Sequence, residues 1–233
     1  MNSMNKNIEE LAEKLNIPFK EGGHLMQAMV HRSYLNEHPD FPLEHNERLE
    51  FLGDAVLELS TTEHLYNNYK NPEGELTNWR AAMVNGQNLA DVAKNLDVEE
   101  YLYLSKGEAK DTDSKARRYI LANMMEAIIG SIFLDFGFEE ADKFVNAVII
   151  STLPEILEKK LYVDPKSRFQ EEAQSRTSTT PGYKVLEETG PDHNKIFRIG
   201  AYLGKVLIAE GAGSSKQEAQ VDAAAKALEA KGW

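Results

Sequence analysis

The stretch Asn46-Glu47-Arg48-Leu49-Glu50-Phe51-Leu52-Gly53-Asp54-Ala55-Val56-Leu57-Glu58-Leu59 carries two helical stripes at once. Leu49, Leu52, Val56 and Leu59 recur at steps of three and four, which predicts a helix with one apolar face. Glu47, Glu50 and Asp54 fall at i, i+3 and i+7, within an arc of roughly 60°. Carboxylates so placed on an exposed helix repel by about a few tenths of a kcal/mol per pair. From spacing alone the plain reading is a solvated acidic face. The alternative is a site for a hard divalent cation, whose preferred ligands are carboxylate oxygens.

Around this helix the chain has an ordinary globular composition, with 42% hydrophobic and 27% charged residues over 233 positions, enough for one large or two modest domains. No unbroken apolar run approaches the length of a membrane span, and the polar start lacks the apolar core of a signal peptide, so neither a membrane segment nor a leader is expected. The absence of cysteine excludes disulfides, thiolate zinc sites and cysteine nucleophiles, and fits a cytoplasmic protein. A net charge of −12 argues against phosphate binding until its distribution is read. Residues 164–233 hold ten basic and ten acidic side chains, so the whole excess lies in residues 1–163, with 16 basic against 28 acidic.

Taken in order, short helices are expected at Asn7–Leu15 and His24–Leu35, before a proline-containing loop leads into the central helix, which runs to about Tyr69. Leu76–Leu96 and Val98–Leu104 read as helical, and Arg117-Arg118 follows a polar loop where it could touch a phosphate backbone. Tyr119–Phe136 is apolar enough to be a buried central helix, and Phe138–Lys159 is a last helix interrupted near Pro154. This first part, residues 1–160, is predicted to be an all-α helical domain. From residue 164 to 233 the period changes to helix, three alternating runs (Tyr183–Glu188, Ile196–Tyr202, Lys205–Gly211) and an alanine-rich helix, a small α+β domain of order α-β-β-β-α.

The twelve residues from Asn46 to Leu57 are similar to the signature of the ribonuclease III family, endonucleases specific for double-stranded RNA. His31-Arg32-Ser33-Tyr34 and the block from Glu73 through Arg80-Ala81-Ala82 resemble further family segments. The C-terminal α-β-β-β-α order, with Gly190-Pro191-Asp192-His193 between the first two strands, resembles a double-stranded RNA-binding domain. The resemblance implies a magnesium-dependent hydrolase, with manganese as a possible substitute and no organic cofactor. Glu50 and Glu126 are implied as metal ligands, Asp54 and Glu126 as catalytic acids, and Glu47 and Glu73 as flanking carboxylates. His31 is expected to be a hydrogen-bonded structural histidine. In the RNA-binding domain the matching positions are Gln170, Glu171, His193, Ser215, Lys216 and Gln217. A homodimer is implied, with Phe51 at the position that packs across it, and the implied substrates are ribosomal RNA precursors and structured messenger RNAs.

Two departures matter. The family pattern places an aspartate three residues before Glu126, where this chain has Asn123, a neutral oxygen donor in the metal set. The last helix opens on Ser214-Ser215-Lys216-Gln217, with a single lysine where the family has a cluster. Besides the nuclease reading, Asn123 leaves open a dimeric double-stranded RNA-binding protein with impaired catalysis. A hydrolase of small phosphorylated substrates fits the C-terminal domain poorly.

Overall fold

The computed structural model describes residues 7–191 and 195–233, which fall into two compact units dividing between Tyr162 and Val163. Nine α-helices among the described residues build the first: α1 (Ile8–Lys14), α2 (Leu25–Ala28), α3 (Arg32–Glu37), α4 (Glu47–Asn68), α5 (Glu73–Val84), α6 (Gly86–Asn95), α7 (Lys115–Phe136), α8 (Phe138–Val148) and α9 (Leu153–Glu158). Their starts are chemically marked. Asn7, Asn85 and Ser114 cap α1, α6 and α7 by accepting from the backbone N–H groups of Glu10, Asn88 and Arg117. Pro154 lies in the first turn of α9, where its missing N–H has no partner to lose.

The core is centred on α7, whose Leu121, Met124, Met125, Ile128 and Ile129 are fully buried, and on α4, which packs along it through Leu49, Val56 and Leu57. By length and composition α7 could cross a membrane, although no unbroken apolar run was expected. It qualifies because Glu126 and Asp135 are its only charged residues from Tyr119 to Phe136. In this fold most of that surface is covered by neighbouring helices.

Four expectations need correcting. Leu59 does not join the buried face of α4: it is 56% exposed, and beside the expected Leu49 and Val56 it is Gly53, Leu57 and Ser60 that are buried. At about 100° per residue the buried arc is centred closer to Gly53 and Ser60 than to Leu52 and Leu59. The predicted helix His24–Leu35 is broken at Val30, which bridges to Tyr103, and His31 then starts α3 by accepting from the Ser33 N–H. Leu76–Leu96 is two helices, because Asn85 is extended and caps the second. Val98–Leu104 is only a three-residue 3-10 turn at Glu99–Tyr101 followed by that bridge.

The second unit contains α10 (Pro165–Thr177), β1 (Pro181–Thr189), β2 (Ile196–Leu203), β3 (Val206–Gly213) and α11 (Lys216–Lys231). The strands form an antiparallel sheet in the order β1-β2-β3. Phe169 of α10 and Ala223, Ala224 and Ala227 of α11 form its buried core with Ala201 of β2. The alanines are there for closeness: a Cβ on Gly211 of β3 would stand 2.1 Å from the Ala223 nitrogen. This is the α-β-β-β-α fold expected from the sequence.

Candidate active site and nucleic-acid interface

Two glycines bring α4 and α7 into backbone contact. A Cβ on Gly53 would lie 1.7 Å from the carbonyl oxygen of Glu126, and one on Gly130 would lie 2.3 Å from that of Leu49. No other residue permits that approach. The pairing of residue 49 with 130 and of 53 with 126 runs the helices antiparallel. It sets Glu50 and Asp54, beside Gly53, along the same edge as Asn123 and Glu126. The Asn123 side chain is near enough to Glu50 to favour its ionised form, and the charges of Asp54 and Glu50 both act on Glu126.

The electrostatics of this edge are unfavourable to its own anions. Burial, then the charge of Glu47, raises the Glu50 carboxyl, the Asn123 side chain works against that rise, and Asp54 adds to it. Glu126 is pushed further, to about 8, first by burial and then by Asp54 and Glu50. Glu47 stands apart in having a cationic neighbour, Arg32 at 3.4 Å, with the His45 ring at 3.7 Å. Among the described residues no three histidine, aspartate or glutamate side chains are gathered tightly enough to chelate an ion unaided. Magnesium, however, is usually held by one or two carboxylates completed by water and substrate oxygens. Two half-buried carboxyls, an amide and a nearby exposed carboxylate match that donor set, and a cation would offset the burial and repulsion that hold the Glu126 carboxyl up.

Glu73 is not part of this group. It is exposed in the first turn of α5, accepts from the Thr77 hydroxyl at 3.0 Å, and lines a separate groove of about 600 Å³ with Tyr66 and Arg80. Arg80 binds Glu58 at 3.0 Å and the Thr62 hydroxyl at 2.9 Å. Glu58 extends the acidic stripe of α4 four residues beyond Asp54, a spacing readable in the sequence but passed over there. Phe51 is 82% exposed, on the outer side of α4 with Leu59 and with Tyr66, itself 75% exposed. Arg117 is not available to phosphate: it is buried and paired with Glu99 at 3.2 Å, while Arg118 is half-buried.

In the second unit Gln170 and Glu171 are exposed on α10, and Lys216 and Gln217 on the first turn of α11. Gln170 and Gln217 meet at a groove of about 310 Å³ that Lys166 and Tyr183 also line. Lys166, which sequence reasoning missed, hydrogen-bonds Gln220 across the two helices at 2.7 Å. Ser215 is the N-cap of α11, accepting from the Glu218 N–H, and Glu218 reaches back to the Ser214 N–H at 3.0 Å. Lys216 lies over the Phe197 ring, 5.6 Å from its centre. Burial pushes the Tyr183 phenol up to about 12. His193 lies outside the described residues.

The described residues thus form a helical domain with an acid-lined interhelical edge, followed by an α-β-β-β-α domain. Comparison with known proteins agrees on both parts. Residues 23–153 match the family described as Ribonuclease-III-like, and residues 165–231 match the double-stranded RNA binding motif. Ribonuclease 3 of Borreliella afzelii is 39% identical over 230 residues, covering 98% of this chain and 93% of that protein. Ribonuclease 3 of Carboxydothermus hydrogenoformans is 41% identical over 226 residues, covering 96% and 95%. Among solved structures, the nuclease domain of ribonuclease III from Campylobacter jejuni, characterised for flexibility in a region involved in dimer formation, is similar. It is 36% identical with a TM-score of 0.55, over 64% of this chain and 99% of that one. The chain belongs to the ribonuclease III family.

Proposed function

We propose that this ribonuclease III-type endoribonuclease hydrolyses phosphodiester bonds in double-stranded RNA with magnesium, as a homodimer whose two centres cut opposite strands and leave short 3′ overhangs. The observation that carries the reading is the meeting of Glu50, Asn123 and Glu126 on the α4–α7 edge, with Asp54 acting on it and no cation of the protein's own against it. Glu50 and Glu126 would hold the ion, with the Asn123 amide oxygen as a neutral donor. A bound magnesium supplies charge for the phosphoryl oxygens and lowers the pKa of a water. Manganese fits the same oxygen donors. Asp54 is the exposed carboxylate of the group and the one open to a water on the substrate side. Water adds to phosphorus, the bond to the 3′ oxygen breaks, and that oxygen leaves with a proton, giving 5′-phosphate and 3′-hydroxyl ends.

The second unit supports the choice of substrate. Such domains follow duplex shape through 2′-hydroxyl and phosphate contacts over about 16 base pairs. Gln170, Glu171, Ser215, Lys216 and Gln217 supply polar groups for it, and the exposed strip Phe51, Leu59 and Tyr66 supplies a surface for the second copy. Structured precursors of ribosomal RNA and messenger RNAs in the cytoplasm are the substrates we infer.

A 30-base-pair duplex labelled at each end in turn tests the reading. The expected products carry 5′-phosphates and a short 3′ stagger, and appear only with added magnesium or manganese. Binding of the duplex with no cleavage at any metal concentration would favour the second reading, a binding protein disabled by Asn123.

A further inference from the structure

The corner between α2 and α3 is tied to two distant parts of the first unit. The Met29 carbonyl accepts from the Tyr103 N–H at 2.8 Å, and the His31 N–H donates back to the Tyr103 carbonyl at 3.1 Å. From the same corner the Val30 carbonyl accepts at 2.9 Å from the N–H of Asn46, the residue that opens α4. The buried Asn46 amide donates to the Ala28 carbonyl at 3.0 Å. The His31 ring closes the arrangement. Its Nδ1 stands 2.8 Å from the Ser33 hydroxyl and accepts from the Ser33 N–H at 3.3 Å, which caps α3. The Ser33 oxygen in turn accepts from the Ser105 N–H at 3.1 Å. These directions fix a proton. A backbone N–H can only donate, so Nδ1 must be the bare nitrogen of a neutral ring that carries its hydrogen on Nε2. The Ser33 hydroxyl then donates to Nδ1 while its oxygen takes the Ser105 N–H. Protonation would put a hydrogen on Nδ1 opposite the Ser33 N–H. Donor would face donor, the cap would be lost, and the hydroxyl would have to turn round.

We propose that His31 and Ser33 form an acid-released clasp, closed while the ring is neutral and opened by its protonation, that fastens residues 103–105 and the entry to α4 onto the start of α3. Since α4 carries Glu50 and Asp54, the clasp ties acidity to the helix that builds the acid-lined edge. Burial holds the ring below its ordinary 6.5. Around it, Glu108 from the 3-10 turn Glu108–Lys110 and Glu47 from α4 favour the imidazolium, while Arg32 from α3 and Arg117 from α7 oppose it. The unfolded chain therefore takes the proton first. The clasp's contribution is whole above about pH 6.5 and is lost as the pH falls through the lower, folded-state value.

Uniform nitrogen-15 labelling of the full-length protein, with NMR in chelator across the acid range below neutrality, reads the ring and its partners directly. The expected result is the Nε2–H tautomer at neutral pH and a titration midpoint below the ordinary value. Ser33 and Ser105 should lose amide-exchange protection with that same midpoint. Ser33→Ala takes the hydroxyl donor away from Nδ1 and should move the His31 midpoint upward, which a merely structural serine would not do. His31→Asn keeps a capping oxygen that does not titrate. On acidification from neutral to about two pH units below the ordinary histidine value, wild type should therefore lose roughly 2–4 °C more in Tm than this variant, the scale of one helix cap in a chain of this size. Glu126 titrates in both proteins and cancels in that difference. An Nδ1–H tautomer, a midpoint at or above the ordinary value, or equal changes in Tm for wild type and His31→Asn would overturn the proposal.

Discussion

Glu126 keeps its proton to about pH 8 in the metal-free fold, against an ordinary value of 4.5, chiefly because it is half-buried and secondarily because Asp54 and Glu50 are charged beside it. The folded state therefore holds a proton that the unfolded chain has released, and stability falls as pH rises across that window. The contribution is fully present below about pH 4.5 and lost through about pH 8, at up to about 1.4 kcal/mol per pH unit. Melts in chelator from pH 5 to 8.5 should show this decline for wild type. Glu126→Gln should be flatter over the same range and the more stable protein near pH 8, while losing cleavage by at least about a hundredfold. A parallel pH dependence in the two proteins would mean the carboxyl is not so strained. Metal binding should also release a proton near neutral pH, since the ion takes the carboxylate form. Calorimetry in buffers of different ionisation enthalpy reads that directly.

At the level of elements, the contact between α4 and α7 governs everything at the edge. Gly53→Ala would force a methyl group to within 1.7 Å of the Glu126 carbonyl oxygen, a clash with backbone that no rotamer relieves. A loss of about 3 kcal/mol or more is expected in urea unfolding, with weaker metal binding because the helices must part. Leu57→Ala, buried on the same helix, should cost about 2–5 kcal/mol without that effect on metal. Helix identity was largely legible in the sequence because α4 and α7 are long and their caps are polar. What stayed hidden was nonlocal. The break at Val30 arises from pairing with Tyr103, more than seventy residues later, and no local period reports it. Asn85 was readable in hindsight, as a capping residue before glycine in an otherwise continuous pattern. In the site, Glu50, Asn123 and Glu126 could be named from a motif, but not the glycine contacts at Gly53 and Gly130 that bring their two helices together. Arg117 was misread because a charge next to another arginine looks like surface, whereas here it is buried against Glu99.

On the scale of the whole molecule, exposed aromatics and sparse cations set the behaviour. Phe51 stands almost entirely in solvent on the protomer, which is unusual for a phenylalanine unless a partner covers it. Phe51→Glu should shift sedimentation from dimer to monomer and reduce double-strand cleavage more than duplex binding by the second unit. An unchanged sedimentation coefficient would remove Phe51 from the interface. The second unit, neutral overall, offers few phosphate contacts, so duplex affinity should decline only shallowly with salt, a logarithmic slope of about −2 to −4. Lys216→Ala should reduce that slope by about one.

The most direct measurement is a magnesium titration of cleavage on a long perfect RNA duplex, run beside its single strands and with Glu126→Gln as the control. The account expects the duplex to be cut into short staggered fragments with saturable dependence on magnesium, the single strands to survive, and the variant to bind duplex without cutting it. Equal cleavage of single strands, or undiminished cutting by Glu126→Gln, would contradict it.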